Sequence, residues 1–430
     1  MDQAKHSAGS AQAKYAPSSS YLNYVLFMLA VVAFFNYLDR MVLSMLLQPI
    51  KDELGFSDAQ LGLLPGFAFA LFYATFGIPI ARLADRKSRV TILSICMALW
   101  SVMTAVCGLA QNFVHMLLAR MGVGVGEAGC VPTSHSLLSD YVPPEKRALA
   151  LGIFQTGGSL GVMFGFIAAG WIADQWGWRW AFFLVGLPGI IVALLAKMTL
   201  KDPPRGNYSD APEPESESFM TAVRALLGRK TFVHIVIAYS VGLFAIYGIS
   251  GWKPTFYVRV HDMSLTDVGW WVGITSGLGG VIGTLAGSLL APRLIGRDRR
   301  WEMWWPAWAY VLAIPIFVVA FLTPNLVLSF SMVFVASFIT GSSIGPGMAS
   351  VQTVAEPQQR ATAVAFVMLT SAILGQGLGP FLIGFGSDYL TPTMGDDGLR
   401  WSMVFSLVIF VWAFIHFMVA AKYQKEDAIS

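Results

Sequence analysis

Charged side chains are scarce in this chain. Asp, Glu, Lys and Arg make up only 12% of the 430 residues, whereas hydrophobic residues make up 56% and the mean hydropathy is +0.62. Soluble domains usually contain about 25% charged residues. The composition therefore excludes a soluble enzyme and predicts an all-α integral membrane protein. A net charge of +3 gives no indication of a nucleic-acid partner.

The sequence also lacks the patterns of a metal, disulfide or cofactor site. Cys96, Cys107 and Cys130 lie within hydrophobic segments and form no CxxC pair, and the histidines show no metal-ligand spacing. The string Gly122–Gly126 has a Gly-x-Gly pattern, but no strand precedes it as a nucleotide-binding loop requires. We therefore predict no metal, no cofactor and no disulfide framework.

A cleavable signal is missing as well. Residues 1–20 are polar and rich in Ser and Ala, without the apolar core of a signal peptide. We expect this segment to be a disordered cytoplasmic tail. The absence of sorting signals favours a bacterial inner membrane as the location.

The chain has instead a series of twelve long hydrophobic segments. Each is roughly as long as the ~20 residues with which an α-helix crosses a bilayer. A lone segment in hydrocarbon must satisfy its own backbone hydrogen bonds, so helices are predicted rather than barrel strands. The predicted spans are 21–48, 59–81, 90–110, 113–138, 148–172, 179–198, 232–257, 267–290, 301–322, 325–348, 360–384 and 400–421.

The longest connection, residues 199–231, divides these segments six and six. We predict an N-terminal six-helix bundle over 21–198, a C-terminal bundle over 232–422 and a cytoplasmic tail over 423–430. If the N-terminus is inside, most of the 28 Lys and Arg residues fall on cytoplasmic loops, which basic residues prefer. Both termini are therefore predicted to be cytoplasmic.

The connection between the bundles has two parts. Residues 203–215 are proline-rich and acidic, a composition typical of unstructured chain. Residues 219–230 place apolar side chains at helical spacing opposite three basic ones. This pattern predicts a helix lying on the inner leaflet, and a solvated loop is the alternative.

The two halves of the chain repeat each other. Three matches occur in the same order: Pro144–Ala148 with Pro357–Ala361, Gly170 and Asp174 with Gly384 and Asp388, and Gly177–Trp180 with Gly398–Trp401. Such a parallel duplication predicts a substrate site between the halves near the membrane midplane, reached from either side in turn.

Four charged residues interrupt the first and fourth hydrophobic segments: Asp39, Arg40, Arg120 and Glu127. At bilayer depth each unpaired charge costs roughly 2.5 to 3.5 kcal/mol, so the four should face one another or a wet cavity. One interpretation is a structural ion-pair lock. The other is a proton-coupling site in which a buried carboxylate exchanges arginine partners as it titrates. The arginines could equally bind an anionic head group of the substrate.

The second half has almost no charge inside its hydrophobic segments. Lys253 is interpreted as an interface anchor near the outer end of the seventh segment. Phe244, Tyr247, Ser342 and Ser343 are predicted to bind substrate in the cavity. A cavity that is charged on one wall and apolar on the other suits an amphiphile, although ordinary core or lipid-facing aromatics would give the same pattern.

The loop Ala81–Arg89, with sequence ARLADRKSR, resembles the signature loop of the major facilitator superfamily, G-x-L-A-D-R-x-G-R. Ala81 and Ser88 stand in place of two of its glycines. Within that superfamily, Asn36–Arg40 (NYLDR) and Gly126–Ala128 (GEA) resemble the bacterial Spinster branch, and organic-anion symporters carry similar strings. The resemblance implies twelve transmembrane helices in two pseudo-symmetric six-helix bundles, and a transporter rather than an enzyme.

The resemblance also implies two mechanical features. In the superfamily, the aspartate of the signature loop engages the start of helix 11, so Asp85, Arg86, Arg89 and Arg360 are predicted to form a cytoplasmic gate. Glycines at every fourth position of helices 5 and 8 are predicted to give smooth surfaces for rocking between the halves, or simply to allow close packing. These glycines are Gly157, Gly161, Gly165, Gly279, Gly283 and Gly287.

The predicted function is secondary active transport of an amphiphilic, lipid or lysolipid-like substrate by alternating access, coupled to protons. The alternative is a proton-coupled organic-anion or drug transporter. A membrane receptor that kept the fold without transport is disfavoured by the intramembrane charges. The predicted partners are bilayer lipid, protons and the small-molecule cargo, and the protein is predicted to be a monomer.

Overall fold

The computed structural model describes residues 15, 17–208, 219–356, 358–424 and 427, and these residues contain helices and no strand. The helices are α1 (Ser19–Leu54), α2 (Asp58–Leu63), α3 (Phe67–Arg86), α4 (Arg89–Cys107), α5 (Phe113–Glu127), α6 (Cys130–Tyr141), α7 (Pro144–Trp176), α8 (Trp178–Thr199), α9 (Phe219–Leu227), α10 (Lys230–His261), α11 (Leu265–Ile295), α12 (Trp301–Leu322), α13 (Leu326–Ser342), α14 (Ile344–Val354), α15 (Arg360–Thr370), α16 (Leu378–Met394), α17 (Asp397–Ser406) and α18 (Val408–Tyr423). A π-helical segment, Ser371–Gly377, joins α15 to α16.

Many of these helices begin at a side chain that caps them. In each case a side-chain oxygen accepts a hydrogen bond from a backbone N–H of the first turn, which has no partner inside the helix. The capping residues are Ser18, Ser57, Ser88, Asn112, Ser264 and Asn325.

Eleven stretches of the described chain are long and apolar enough to cross a membrane. The fourth predicted span is present as α5 and α6, which contain 15 and 12 residues because the helix breaks at Ala128 and Gly129. A side chain at Gly129 would lie 2.5 Å from the Cys96 sulfur on α4, so glycine is needed for this close approach. With this pair counted, the predicted all-α membrane fold of twelve spans is confirmed.

The two ends of the bundle differ in which helix termini meet there. At the end that we call the terminal face, Tyr21 near the start of α1 contacts Thr199 at the end of α8, and Thr231 at the start of α10 binds Asp427. At the other end, the opposite face, α1 ends and α2 begins. Within the halves, α1 packs on α7, α4 on α8, α10 on α18 and α11 on α13, while α7–α11 and α2–α16 join the halves.

The two predicted glycine stripes pack helices inside one half. A side chain at Gly161 on α7 would lie 2.2 Å from the Phe34 oxygen on α1, and one at Gly283 on α11 would lie 2.1 Å from the Phe338 oxygen on α13. The prediction of a rocking surface at these stripes was therefore wrong, and close packing accounts for them.

Other glycines serve the contact between the halves. On α11, side chains at Gly269 and Gly273 would lie 2.6 Å from the Phe166 oxygen and 2.8 Å from the Met163 oxygen of α7. The halves thus also meet where glycines let two helix backbones approach closely. These glycines lie on a different face of α11 from the predicted glycine stripe.

The connection between the halves is ordered at both of its described parts. The α9 helix forms where a helix is predicted, with its apolar face buried, and its position on a membrane surface stays a prediction. Residues 203–208, predicted to be unstructured, are bonded in place: Arg205 donates to the carbonyls of Ala84 and Lys87 at the end of α3. That part of the prediction was wrong. Residues 209–215, and most of the predicted tail 1–20, lie outside the described residues.

Candidate functional site

The four intramembrane charges of the first half meet in one cluster. Arg40 Nε on α1 lies 2.5 Å from Glu127 Oε2 on α5, and Arg120 Nη1 on α5 lies 3.8 Å from Asp39 Oδ1 on α1. Asp39 also accepts a hydrogen bond from the Thr104 hydroxyl on α4. Two neighbouring residues of α1 therefore each face a partner on α5, in one tight pair and one loose pair.

Burial makes the difference in length between these two ion pairs important. The side chains of Asp39, Arg120 and Glu127 are at most 3% exposed. A buried ion pair is favourable only when its remaining lone pairs and protons are also satisfied. Asp39 Oδ1 and two nitrogens of Arg120 have no hydrogen-bond partner among the described residues. Glu127 Oε1 has no partner there either, so both ion pairs are incompletely satisfied, and the Asp39–Arg120 pair is the longer of the two.

Aromatic rings surround the arginines of the cluster. The guanidinium carbon of Arg40 lies 5.3 Å from the ring centre of Tyr37, 4.9 Å from that of Phe69 and 5.1 Å from that of Tyr73. Phe69 also lies 5.6 Å from the guanidinium carbon of Arg120. Aromatic faces attract cations and provide no acceptor that competes with an incoming anion. The rings thus stabilise the arginines without adding negative charge to the cluster.

The cluster opens on a cavity of about 180 Å³ between the two halves. Its polar lining comes from both: Tyr37, Arg40, Ser44 and Arg120 from the first half, and Tyr247, Ser250 and Gln376 from the second. The predicted location of a site between the halves therefore matches the cavity that the helices form.

Of the second-half residues predicted to bind substrate, only Tyr247 lines this cavity. Phe244 lines a separate apolar groove formed by α10, α16, α17 and α18. Ser342 and Ser343 are buried at the end of α13, where their hydroxyls donate to backbone carbonyls of their own helix. The structure does not bring these three residues to the charged cluster, so we withdraw them from the site.

The residues predicted to form the cytoplasmic gate are not brought together. Asp85, Arg86 and Arg360 are exposed at the terminal face, and no ion pair joins them within the described ranges. Arg89 is buried and pairs instead with Asp140 on α6 and with Asp202 after α8. Arg89 therefore stabilises the first half internally, and its assignment to the gate is corrected.

The halves are separated near the terminal face. A largely apolar cavity of about 210 Å³ lies between α3 and α6 of the first half and α9 and α15 of the second. Tyr73, which contacts Arg40, lines this cavity too, together with Ala81 of the signature loop and Met368 of α15. The apolar cavity thus reaches from the charged cluster toward the terminal face.

At the opposite face a buried carboxylate joins the halves. Asp58 at the start of α2 accepts hydrogen bonds from Arg259 of α10 at 2.6 and 2.9 Å, from Lys51 at 2.6 Å and from the Ser387 hydroxyl of α16 at 2.6 Å. Asp58 is 0% exposed. Arg259 and Ser387 belong to the second half, so this carboxylate closes the face between the halves.

Two further aspartates close the same face by capping a helix of the other half. Asp388 at the end of α16 accepts hydrogen bonds from the N–H groups of Asp58 and Ala59 at 2.9 and 2.8 Å. Asp174 at the end of α7 accepts one from the Thr266 N–H at 2.7 Å. Helix N-termini present unpaired N–H groups and favour anions. The structure is therefore closed at the opposite face, whereas a cavity separates the halves nearer the terminal face.

Sequence reasoning missed several residues of these sites. Gln376 is an isolated amide between two glycines of an apolar span. A lone polar side chain in such a span could have been identified from the sequence as a candidate cavity residue. It lies in the π-helical segment, a conformation that is frequent at functional sites. Asp58 precedes the second hydrophobic segment, and its burial depends on contacts with the other half that no local pattern reveals.

Comparisons with known proteins agree with this architecture. The family model described as Major Facilitator Superfamily matches residues 29–380. The crystal structure of a bacterial homologue of the human lysosomal transporter Spinster, in an inward-facing and unoccupied conformation, is 32% identical with a TM-score of 0.89, covering 96% of this chain and 100% of that chain.

Two curated relatives extend the comparison. An MFS-type efflux pump of Mycolicibacterium smegmatis is 31% identical over 402 residues, which are 93% of this chain and 92% of that protein. The cis,cis-muconate transport protein of Acinetobacter baylyi is 27% identical over 355 residues, which are 81% of this chain and 83% of that protein. This chain therefore belongs to the major facilitator superfamily, a family of membrane transporters and not of enzymes, and it resembles the Spinster transporters within it.

Proposed function

We propose that this protein is a proton-coupled secondary transporter that moves an anionic amphiphile across a bacterial inner membrane by alternating access. The observation that carries the proposal is the cluster of Asp39, Arg40, Arg120 and Glu127, which opens on the cavity between the halves. In this proposal the terminal face is cytoplasmic, the described conformation is inward-facing, and the protein works as a monomer.

The proton-coupling role is assigned to the two carboxylates. Glu127 is bound by Arg40 at 2.5 Å, whereas Asp39 lies 3.8 Å from Arg120, beyond hydrogen-bond distance. Protonation of Asp39 in this conformation therefore costs only its weak ion pair with Arg120. An anionic head group that binds Arg40 displaces Glu127 from this arginine. Glu127 then accepts a proton as well. Substrate and proton binding are thereby linked through the same arginines.

The amphiphilic substrate is assigned from the shapes and linings of the two cavities. The central cavity of about 180 Å³ accommodates a head group but not a long chain, since sites for larger ligands have about 300 to 1,000 Å³. The apolar cavity between α3 and α15 begins at Tyr73, beside Arg40. A head group at Arg40 with its tail along α3 and α15 would use both cavities.

The second candidate function is transport of a small organic anion. The muconate transport protein among the relatives favours it, and so does the small volume of the central cavity, which a dicarboxylate would occupy alone. Both candidates use the same arginines, so they differ only in whether the apolar cavity contributes to binding.

The test is uptake into proteoliposomes with an imposed pH gradient, with lysophosphatidates of increasing chain length and cis,cis-muconate as probes. We expect affinity for the lysolipid to rise with chain length, because each buried methylene contributes up to about 0.8 kcal/mol. A flat series together with muconate uptake would replace the lipid assignment by the organic-anion one.

Coupling is tested separately with Glu127→Gln, which mimics permanent protonation. The variant should lose proton-driven accumulation and keep exchange of substrate across the membrane. Glu145→Gln is the matched control, because Glu145 is exposed at the terminal face. Wild-type accumulation against a gradient by Glu127→Gln would rule out a coupling role for Glu127.

A further inference from the structure

A buried lysine lies outside the cluster described above. Lys253 on α10, interpreted from the sequence as an interface anchor, is only 4% exposed, so that interpretation is corrected. Its Nζ donates a hydrogen bond to Ser276 Oγ on α11 at 2.6 Å. An ammonium group has three N–H donors. A single hydroxyl therefore leaves Lys253 incompletely satisfied.

Lys253 differs from the arginines buried in the same bundle. Arg40, Arg89, Arg120 and Arg259 each form an ion pair with a carboxylate. Lys253 forms none within the described part of the chain. An ionisable residue inside a membrane protein is costly to bury and usually marks the path of a substrate or ion. The missing counter-charge of Lys253 therefore requires an explanation that the fold does not supply.

The position of Lys253 on α10 relates it to the central cavity. Ser250 and Gly251 line that cavity together with Arg40 and Arg120. Three residues along an α-helix correspond to about 4.5 Å of rise and about 60° of net rotation, so Lys253 shares the face of α10 that carries Ser250. It lies one turn closer to the opposite face, because α10 ends there.

The neighbours of Lys253 lie where the two halves meet. Ser276 precedes Gly277, and a side chain at Gly277 would lie 3.1 Å from Met163 Cβ on α7 of the first half. In the described conformation this region is closed beneath the Asp58–Arg259 contact. An opening of the opposite face that separates α7 from α11 would expose the ammonium to the space between the halves.

We propose that Lys253 is a third cationic binding residue for the anionic group of the cargo, used when the opposite face is open. The inference rests on the proposed function and deepens it, because it gives the second half its own contact with a phosphate or carboxylate. An ammonium binds such a group as a point charge and a guanidinium binds it bidentately. The cargo therefore exchanges between a looser contact at Lys253 and a tighter one at Arg40 and Arg120.

The experiment compares equilibrium binding of two probes that share one chain, dodecyl phosphate and the uncharged dodecyl glycerol ether, to the full-length protein in nanodiscs. Lys253→Met removes the charge at similar volume, Lys253→Arg keeps it, and Lys253→Gln keeps a hydrogen-bonding group for Ser276 should the methionine variant fail to fold. Each variant is also made in an Asp58→Asn background, which is expected to open the opposite face, and spin-label distances between Gln111 and Thr393 confirm the opening before binding is measured. Lys146→Met is the control, because Lys146 is exposed.

In the Asp58→Asn background we expect Lys253→Met and Lys253→Gln to weaken dodecyl phosphate binding by about tenfold or more, a typical effect for loss of one charge-assisted hydrogen bond. Binding of the uncharged probe should change by less than about twofold, and Lys253→Arg should keep most of the affinity. An equal loss for both probes would indicate a structural role and overturn the assignment.

The remaining outcomes separate this inference from the proposed function. If the wild-type protein prefers dodecyl phosphate and the Lys253 variants keep that preference, the role of Lys253 is overturned while the proposed function stands. If the wild-type protein binds the two probes equally, the anion selectivity on which both depend is absent and both fail.

Discussion

Replacing Asp58 with asparagine should convert the protein to a conformation that is open at the opposite face. Asp58 is fully buried and binds Arg259 of the other half through contacts of 2.6 and 2.9 Å. Removing one partner of a buried ion pair destabilises the state that contains it by about 3 to 5 kcal/mol, because the remaining charge is left unpaired. Here two cations, Lys51 and Arg259, lose the same carboxylate, which favours the upper part of that range.

That magnitude is enough to reverse a conformational preference. A change of about 5.5 kcal/mol moves a two-state equilibrium from 1:99 to 99:1, so about 3 to 5 kcal/mol converts a mostly closed face into a mostly open one. The caps that Asp388 and Asp174 place on helices of the other half would still favour closure. They are three hydrogen bonds to backbone N–H groups, two at Asp388 and one at Asp174, and each contributes less than the buried pair.

The assay is distance measurement between spin labels. Labels at Gln111 and Thr393, both exposed at the opposite face in different halves, should move apart in Asp58→Asn. Labels at Lys87 and Gln358, exposed at the terminal face, should approach each other. Asp396→Asn removes the same charge from an exposed position of the opposite face and should leave both distances unchanged.

Two results would refute this reasoning. Unchanged distances at both faces in a folded Asp58→Asn variant would mean that the ion pair does not determine closure. Longer distances at both faces together would mean that the variant loosens the whole bundle instead of exchanging one opening for the other.

Three other substitutions test separate features. Asp85→Asn should favour the terminal-open state by about 1 to 3 kcal/mol if Asp85 binds the start of α15 when that face closes, measured with the terminal-face labels. Gly283→Ala should lower Tm because its Cβ would lie 2.1 Å from a backbone oxygen of α13, whereas Gly280→Ala meets open space and should not. Arg40→Ala should weaken binding of dodecyl phosphate by about 1.5 to 3 kcal/mol, measured in nanodiscs.

The charged cluster was predictable because membrane burial makes charge expensive. Asp39, Arg40, Arg120 and Glu127 are identified by their position inside hydrophobic segments, and their pairing across α1 and α5 follows from the need to neutralise charge in hydrocarbon. Which arginine pairs with which carboxylate was not predictable, since that depends on the rotation of each helix about its axis.

The second-half site was predicted poorly for the same physical reason. Ser342, Ser343 and Phe244 were chosen as polar or aromatic residues of cavity helices, but hydroxyls inside helices often bond their own backbone. A helix buried on several sides carries no clear amphipathic signal that indicates which face meets the cavity. Gln376 lines the cavity from a π-helical segment, whose helical period differs from the 3.6 residues on which a sequence-based choice of face relies.

The internal repeat has the same physical role in both halves. Gly170 and Gly384, which the repeat aligns, each approach a helix start of the other half, where a side chain would lie 2.2 Å from the oxygen of Leu265 or of Asp58. The aligned aspartates, four residues further along, cap those same helix starts. The repeat is therefore retained where two backbones must meet, and the closed face is pseudo-symmetric. The charged cluster belongs to one half alone. In the proposed function the anion would therefore meet an asymmetric site inside a symmetric gate, and the second half would contribute to its binding through Tyr247, Gln376 and Lys253.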